Sequence, residues 1–445
     1  SLLVVLLLIK RLFSYFLSLF LPSFVLGKHH QNNNNNQDRI VEELLLGRFN
    51  HRHEKECIDE ENASRHRSRM QSMFAFAAHE LVFTVEIISL TYVLLFKRKA
   101  FLRKMRIYLK ASVHLFLSKE KRDLRRLKEE NDLEFAREDR IGSGCVLEQK
   151  IEIYFVRHGE SFWNYVFNRG FNAWFPIRVM RGLFREMSAV LKADDSFFVD
   201  AGLSDLGLLQ VQRLRKFLNE VNDPFLKEEE ARALRSRHVD ILRADSIKGG
   251  KTIKSILCTS NLRRAAHTGA IAFMDRFERT NEKLFVRDDL QEMARNVDAY
   301  ALANEAFETI PYTGITNVAK DRGTLKNILE KTVKYDCESY AGNKTLRRSG
   351  ATDCLRFAHW ATSSSIPKDC EAIIACGHSI YFKEFFKLFL PKESSHKAKT
   401  KKIVNCGVIA FELSKFEHKE SGKIFYSIDE KTIESVYGGF VEGKH

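Results

Sequence analysis

Proline is scarce, six residues in 445, too few for long linkers of the stiff, proline-rich kind. Eight cysteines occur, at 57, 145, 258, 337, 354, 370, 376 and 406, but none forms a CxxC pair and none has zinc-ligand spacing. That pattern excludes a zinc ribbon and a dithiol redox motif. Cys258, Cys376 and Cys406 lie in or beside apolar runs, where free cysteine behaves as a small hydrophobe. They read as reduced thiols, which favours a reducing compartment for the bulk of the chain. Also missing is any aromatic platform or base-reading motif beside the basic residues, so nucleic acid is not an expected partner. The ligand-type residues of "HRHEKEC", His51 to Cys57, sit in a highly charged stretch; neither a metal nor a cofactor is expected.

What is present is apolar content for a core, with 44% hydrophobic and 11% aromatic residues, and a net charge of +14. Such a charge points to anionic partners: phosphorylated substrates or a membrane surface. Residues 1–27 form two apolar runs split by Lys10-Arg11, readable as a signal-peptide core, a membrane anchor or a gene-model artefact. A low-complexity polar tract, "HHQNNNNNQ", comes next, and 1–72 is assigned as leader and linker. Residues 73–96 are long enough to span a bilayer as a helix. Their thirteen Leu, Ile, Val and Phe residues favour insertion by roughly 6 kcal/mol. His79, Glu80 and Glu86 offset most of that. A spanning helix and a helix lying in the interface or against protein both stay open. Residues 97–130 carry 13 Lys or Arg against 4 Asp or Glu. They are expected to be a basic helical linker, attractive to anionic lipid headgroups and placing the C-terminal part of the chain in the cytosol, or else a solvated basic helix with no specific partner.

From about residue 149 short apolar runs alternate with helical patterns. This predicts an α/β domain over 149–445, a three-layer, doubly wound, mostly parallel sheet with helices on both faces, preceded by the helical and apolar N-terminal region. The helix after Ser204 has a plausible N-cap and places Val211, Leu214, Leu218 and Val221 on one face.

Two stretches share one grammar. In "IEIYFVRHGES" an apolar run ends at Arg157-His158-Gly159, and in "AIIACGHSI" another ends at Gly377-His378. In open parallel sheets the ligand site lies beyond the carboxyl ends of the strands, so both histidines are expected on that rim. Gly159 and Gly377 are expected to let backbone and ligand approach closely, and the helix after His378 to aim its amides there. Two further strand-to-helix junctions add Arg263 and Arg264, then Glu292. Two imidazoles, two guanidinium groups and a carboxyl suit a phosphoryl group: arginines fork onto phosphate oxygens, and neutral histidine attacks phosphorus.

Five motifs occur in order: R-H-G-E-S-x-x-N (Arg157 to Asn164), L-S-x-x-G-x-x-Q (Leu203 to Gln210), S-x-L-x-R-A-x-x-T (Ser260 to Thr268), L-x-E (Leu290 to Glu292) and G-H-S (Gly377 to Ser379). With these, 149–445 resembles the histidine phosphatase superfamily, the phosphoglycerate mutase-like group, in its RHG-motif phosphatase branch. The resemblance implies that His158 is the nucleophile and becomes a phosphohistidine. It implies that Arg157, Arg264 and His378 hold the phosphoryl oxygens, that Ser161 and Asn164 contact phosphate or substrate, and that Glu292 donates the proton to the leaving group. Arg264 fills the R-A slot; Arg263 is expected to face solvent, and His267 and His359 to be packing or surface residues. The late "NCGVIAFEL" resembles the family's closing strand.

The sequence departs from the family in several places, with insertions at about 222–251 and 305–365 enlarging the domain beyond a minimal member. An insertion after the first motif interleaves Trp163, Phe167, Phe171, Trp174 and Phe175 with Arg169, Arg178, Arg181 and Arg185, suggesting either a lid over the substrate pocket or a helical hairpin packed on the domain. The stretch "MARNVDAY" after Glu292 does not resemble the phosphoglycerate mutase version. The expected function is hydrolysis of a phosphomonoester, with mutase-type transfer and a non-catalytic phospho-ligand scaffold as alternatives.

Overall fold

The computed structural model describes residues 98–120, 123–131, 145–189, 192, 194–220, 237–245, 253–313, 315 and 322–442. The expectations for 1–72, for the apolar stretch 73–96 and for Val221 fall outside the described residues. Among the described residues no helix is long and apolar enough to cross a membrane.

Eight strands form one sheet: β1 (Cys145–Arg157), β2 (Lys254–Ser260), β3 (Lys283–Arg287), β4 (Lys334–Asp336), β5 (Cys370–Gly377), β6 (Val408–His418), β7 (Ile424–Ile428) and β8 (Glu434–Tyr437). Their order is β4-β3-β2-β5-β1-β6-β7, with β8 also pairing with β6. The first five strands of that order run parallel, and β6 closes antiparallel on β1. The helices are α1 (Arg98–Leu117), α2 (Phe162–Phe167), α3 (Phe175–Ala189), α4 (Asp205–Asn219), α5 (Arg237–Arg243), α6 (Arg263–Ala272), α7 (Met274–Thr280), α8 (Arg322–Thr332), α9 (Gly350–Ala361) and α10 (Ser379–Phe389).

The apolar runs of β1 and β5 are continuous because both of their faces are covered. Side chains alternate across a strand, so Ile151, Ile153 and Phe155 join Ile373 and Ala375 under α9 and α10. Tyr154 and Val156, with Ile374 and Cys376, face the other way, against α4, α5, α6 and α7. On the first face Phe155 stacks on Phe382 with ring centroids 4.0 Å apart, with Phe385 and Phe411 edge-on. Helix α4 starts as its sequence predicts: Ser204 caps it by accepting from the Gly207 amide, and Val211, Leu214 and Leu218 are buried. The result is the three-layer, mostly parallel α/β architecture.

The basic stretch before the sheet is not all linker. Helix α1 buries Lys104, Ile107, Ala111 and His114, packing Ile107 and Ala111 with Val199, Tyr300 and Leu302. It belongs to the same compact unit, Ser89–His445, as the sheet.

Candidate active site

Register brings the motif residues together. Arg157 pairs with Gly377 where β1 and β5 run side by side. His158 and His378 therefore leave adjacent strand ends, with ring centroids 5.1 Å apart. Thr259 of β2 pairs with Cys376 and Arg287 of β3 with Ser260, so Arg264 and Glu292 come after strands that end at the same rim. Read across the sheet as β3, β2, β5, β1, the order is Glu292, Arg264, His378, His158. This is the carboxyl-edge location that parallel sheets give their ligand sites.

His158 is buried, and its Nδ1 lies 2.5 Å from the Gly159 carbonyl. A carbonyl only accepts, so Nδ1 carries the proton and Nε2 keeps its lone pair while the ring is neutral. Burial pushes the His158 pKa well below its usual value, and Arg264 and Arg157 push it further in the same direction. His378 shifts likewise, through burial and then Arg264. Its Nε2 sits 2.9 Å from Ser260 Oγ, while its Nδ1 is buried without a protein partner.

Arg157 is fixed by the loop before β6. Its Nη1 donates to the Ile403 carbonyl at 2.6 Å, and its backbone pairs with Cys406 and Gly407. Its Nε is buried and unpartnered, and burial lowers its pKa to about 10 against the pull of Glu292. Arg264 is held by Asp298, with Nη1 3.0 Å from Oδ2 and 3.0 Å from the backbone oxygen. Glu292 Oε1 accepts from the amides of Met293 at 2.9 Å and Tyr381 at 3.2 Å. Burial raises the Glu292 pKa, with Arg264 opposing. The first turn of α10 thus spends an amide on Glu292. Ser161 caps α2 by accepting from the Asn164 amide at 3.2 Å, and Asn164 Oδ1 accepts from Asn168 at 2.9 Å; both hydrogen bonds stay within α2 and its caps.

Three expectations change. Arg263 does not face solvent: it is completely buried, donating to the Asp200 and Ser196 carbonyls and to Asp195 Oδ1 at 3.0 Å. On an amphipathic surface helix one of two successive arginines would point outward, but every residue of α6 is buried. The glycines admit protein more than ligand. A Cβ on Gly159 would lie 2.7 Å from the Gly207 carbonyl, and one on Gly377 would lie 2.9 Å from the Phe382 ring. The insertion divides: Trp163, Tyr165 and Phe167 pack with Phe162 and Val166, while Phe171 and Trp174 stay exposed. His267 is a packing residue, its Nε2 3.0 Å from the Pro311 carbonyl.

The second motif has a mechanical meaning. The Glu160 amide donates to Gln210 Oε1 at 2.8 Å, and Ser204 Oγ donates to Glu160 Oε2 at 2.6 Å. A Cβ on Gly207 would stand 2.0 Å from the Glu160 carbonyl oxygen. Leu203 to Gln210 thereby clamps the backbone two residues beyond His158. Thr268 of the third motif does the same from α6, accepting from the Gly159 amide at 3.1 Å and donating to the Arg264 carbonyl at 2.7 Å. Gly207→Ala is expected to destabilise the chain by about 1–3 kcal/mol through overpacking against backbone, outweighing the roughly 1 kcal/mol that alanine normally gains in a helix. Thermal melts check it; an unchanged melting temperature would mean the Glu160 loop yields freely.

Sequence reasoning missed the supports. Asp298 pairs with Arg264, and its carboxyl is raised to about 6, chiefly by burial. Asp200, at φ +51°, accepts from the amides of Arg263 at 2.8 Å and Leu302 at 3.0 Å. Behind Glu292, Lys344 Nζ donates to the Glu292 carbonyl at 2.9 Å and to Glu120 Oε2 at 2.6 Å. Only Ser260, already inside the third motif, carried a local signal. Among the described residues no group of three or more His, Cys, Asp or Glu could hold a metal ion; His51 to Cys57 fall outside them. Beside Glu160 a groove of about 210 Å³ is lined by Tyr165, Arg169, Arg181 and Arg185, with Arg169 donating to both Glu160 oxygens.

Fold and site together define a class: an α/β protein with a buried pair of histidines, flanked by arginines and a carboxyl, at the carboxyl rim of a parallel sheet. No protein-family model matches the chain, and no curated protein matches it. Solved structures similar to it include a mycobacterial glucosyl-3-phosphoglycerate phosphatase, at 14% identity and TM-score 0.27, covering 63% of this chain and 97% of that one. A putative alpha-ribazole-5'-P phosphatase from Escherichia coli is similar at 12% identity and TM-score 0.27, covering 66% and 99%. A phosphoserine phosphatase from Entamoeba histolytica is similar at 12% identity and TM-score 0.25, covering 63% and 96%. At these scores the likenesses carry no argument about activity, which rests on the residues of the site itself.

Proposed function

We propose that the chain is a phosphatase of the histidine phosphatase superfamily that hydrolyses a phosphomonoester through a phosphohistidine on His158. The observation that carries this is the arrangement of His158: buried, with Nδ1 on a carbonyl, 5.1 Å from the second imidazole and under the field of two arginines. A histidine kept neutral with Nε2 unprotonated is a nucleophile. Arg157, Arg264 and His378 bind the phosphoryl oxygens and stabilise the charge of the transition state. The orphaned Arg157 Nε and His378 Nδ1 are groups a phosphate oxygen would satisfy.

The steps balance. Nε2 of His158 attacks phosphorus, the bond to the leaving oxygen breaks, and Glu292 gives that oxygen its proton. Water then attacks phosphorus, Glu292 takes the water proton, the P–N bond breaks, and phosphate and neutral His158 are released. Burial, which raises the Glu292 pKa, favours the protonated carboxyl that the first step needs. Turnover is expected to fall as pH rises through that pKa. The groove between Glu160 and the insertion supports a substrate choice written partly by Arg169, Arg181 and Arg185.

The test is turnover of a generic aryl phosphate by the full chain, with phosphoglycerate interconversion measured beside it. Hydrolysis without interconversion supports a phosphatase; interconversion would favour the mutase reading; binding of phosphorylated ligands without either would favour a scaffold. Glu292→Gln is expected to lower turnover by about 10²–10⁴-fold, to flatten the alkaline limb of the pH profile, and to let phosphoenzyme accumulate on substrates with good leaving groups. A Glu292→Gln variant with an unchanged pH profile would remove Glu292 from the mechanism.

A further inference from the structure

The insertion after the first motif turns an apolar ridge to the outside. Phe171, Trp174, Ile177, Met180 and Phe184 are all exposed, Phe171 at 76% and Trp174 at 66%. Ile177, Met180 and Phe184 recur at i, i+3, i+7 and share one face of α3. Five large apolar side chains within fourteen residues form the kind of patch that soluble surfaces rarely leave uncovered.

The ridge is held in that orientation from behind. On the opposite face Arg178 is buried and donates to the Gly170 carbonyl at 2.5 Å and to Asn172 at 3.1 Å. Gly182 abuts the Phe198 ring, and Glu186 accepts from the Phe197 and Phe198 amides. The outward apolar face is therefore a fixed feature of the fold.

Charge says what covers it. Arg181 is exposed within the ridge. Helix α1, with no acidic residue along its length, docks on the end of α3 through Lys104, which donates to the Ala189 carbonyl at 2.7 Å and lies 3.3 Å from Glu186. Its solvent side shows Arg98, Lys99 and Arg106 with Leu102, Leu109 and Phe116. Basic and large apolar residues mixed on exposed helix faces are the composition of helices that lie in the headgroup layer of anionic membranes. In sequence, moreover, α1 comes directly after the apolar stretch 73–96.

We propose that α3 is a membrane-interface helix: its ridge from Phe171 to Phe184 enters the surface layer of an anionic bilayer, and the basic face of α1 holds the headgroups. This is independent of the phosphatase chemistry and of whether 73–96 crosses the bilayer.

The test reads one residue. The chain has three tryptophans, at 163, 174 and 360. The full chain carrying Trp163→Phe and Trp360→Phe keeps Trp174 as its only indole, and circular dichroism confirms that it folds. It is mixed with phosphatidylcholine vesicles, with and without phosphatidylserine, containing bromolipid as quencher. The expected result is a blue shift and at least a twofold quenching of Trp174 in the phosphatidylserine vesicles, much weaker in neutral ones and reduced by Arg106→Glu. Unquenched Trp174 while the chain floats with the vesicles would overturn the proposal, because attachment would then run through another segment; so would failure to bind vesicles at all. A blue shift that grows with protein concentration in the absence of lipid would assign the ridge to a second copy instead. Should the double replacement unfold the chain, the difference between wild type and Trp174→Phe isolates the same signal with one exposed substitution.

Discussion

Replacing His158 with alanine is expected to remove phosphomonoester hydrolysis, by on the order of 10³-fold or more, equivalent to about 4 kcal/mol of barrier. The size reflects what the ring does. Without Nε2 no P–N bond forms, and a one-step attack by water must proceed with only the electrostatic part of the site intact. That part remains, since Arg157 is anchored on Ile403 and Arg264 on Asp298, and neither bond involves His158. The variant should therefore still bind phosphate with an affinity close to that of the wild type while losing turnover. It should also lose the acid-labile phosphoenzyme that denaturing quench captures from wild type. Equal turnover in the two proteins would sink the covalent mechanism. Lost turnover together with lost phosphate binding would point instead to collapse of the rim.

How much of this was readable from the sequence differs by element. The strand-to-histidine junctions at Arg157 and Gly377 were legible because each is a continuous apolar run broken by a charged or ring-bearing residue, and a strand buried on both faces has that signature. That β1 and β5 are neighbours in register, Arg157 beside Gly377, was not legible, because 220 residues separate those positions and pairing is a property of the whole sheet. The second motif was recognisable as a pattern, but its work was hidden: Gly207 and Gln210 serve the Glu160 backbone, and no spacing rule connects them. The anchors were the least visible part. Asp298, Asp200 and Lys344 are ordinary polar residues outside the main helices and strands, and only the tertiary structure turns them into buried partners of Arg264, Arg263 and Glu292. The basic stretch was visible as charge, but charge alone does not say which lysine turns inward, and Lys104 does.

Arg263 is where the inward turn matters most. Two successive arginines open α6; Arg264 is assigned to the reaction in the proposed mechanism, and Arg263 is buried in the frame around it. Arg263→Ala is expected to destabilise the chain by about 3–5 kcal/mol, the range for breaking a buried ion pair from one side. The guanidinium ties Asp195, the Ser196 and Asp200 carbonyls and Thr313 into one network. Its loss leaves Asp195 without its 3.0 Å partner and Asp200, completely buried, without its principal compensating charge. The sign of the pH dependence comes from Asp200. Burial raises its pKa and Arg263 lowers it, so in the variant the acid form of Asp200 is favoured more strongly. A group whose folded pKa is raised contributes stability at low pH and loses it as pH rises. The penalty of Arg263→Ala should therefore shrink on acidification and grow toward neutral pH. Arg263→Lys, which keeps the charge but not the planar fork, should recover only part of the loss. Denaturant unfolding of the three proteins at two pH values measures this. A loss under about 1 kcal/mol, the range typical of exposed ion pairs, would return Arg263 to the solvent-facing role that the sequence suggested.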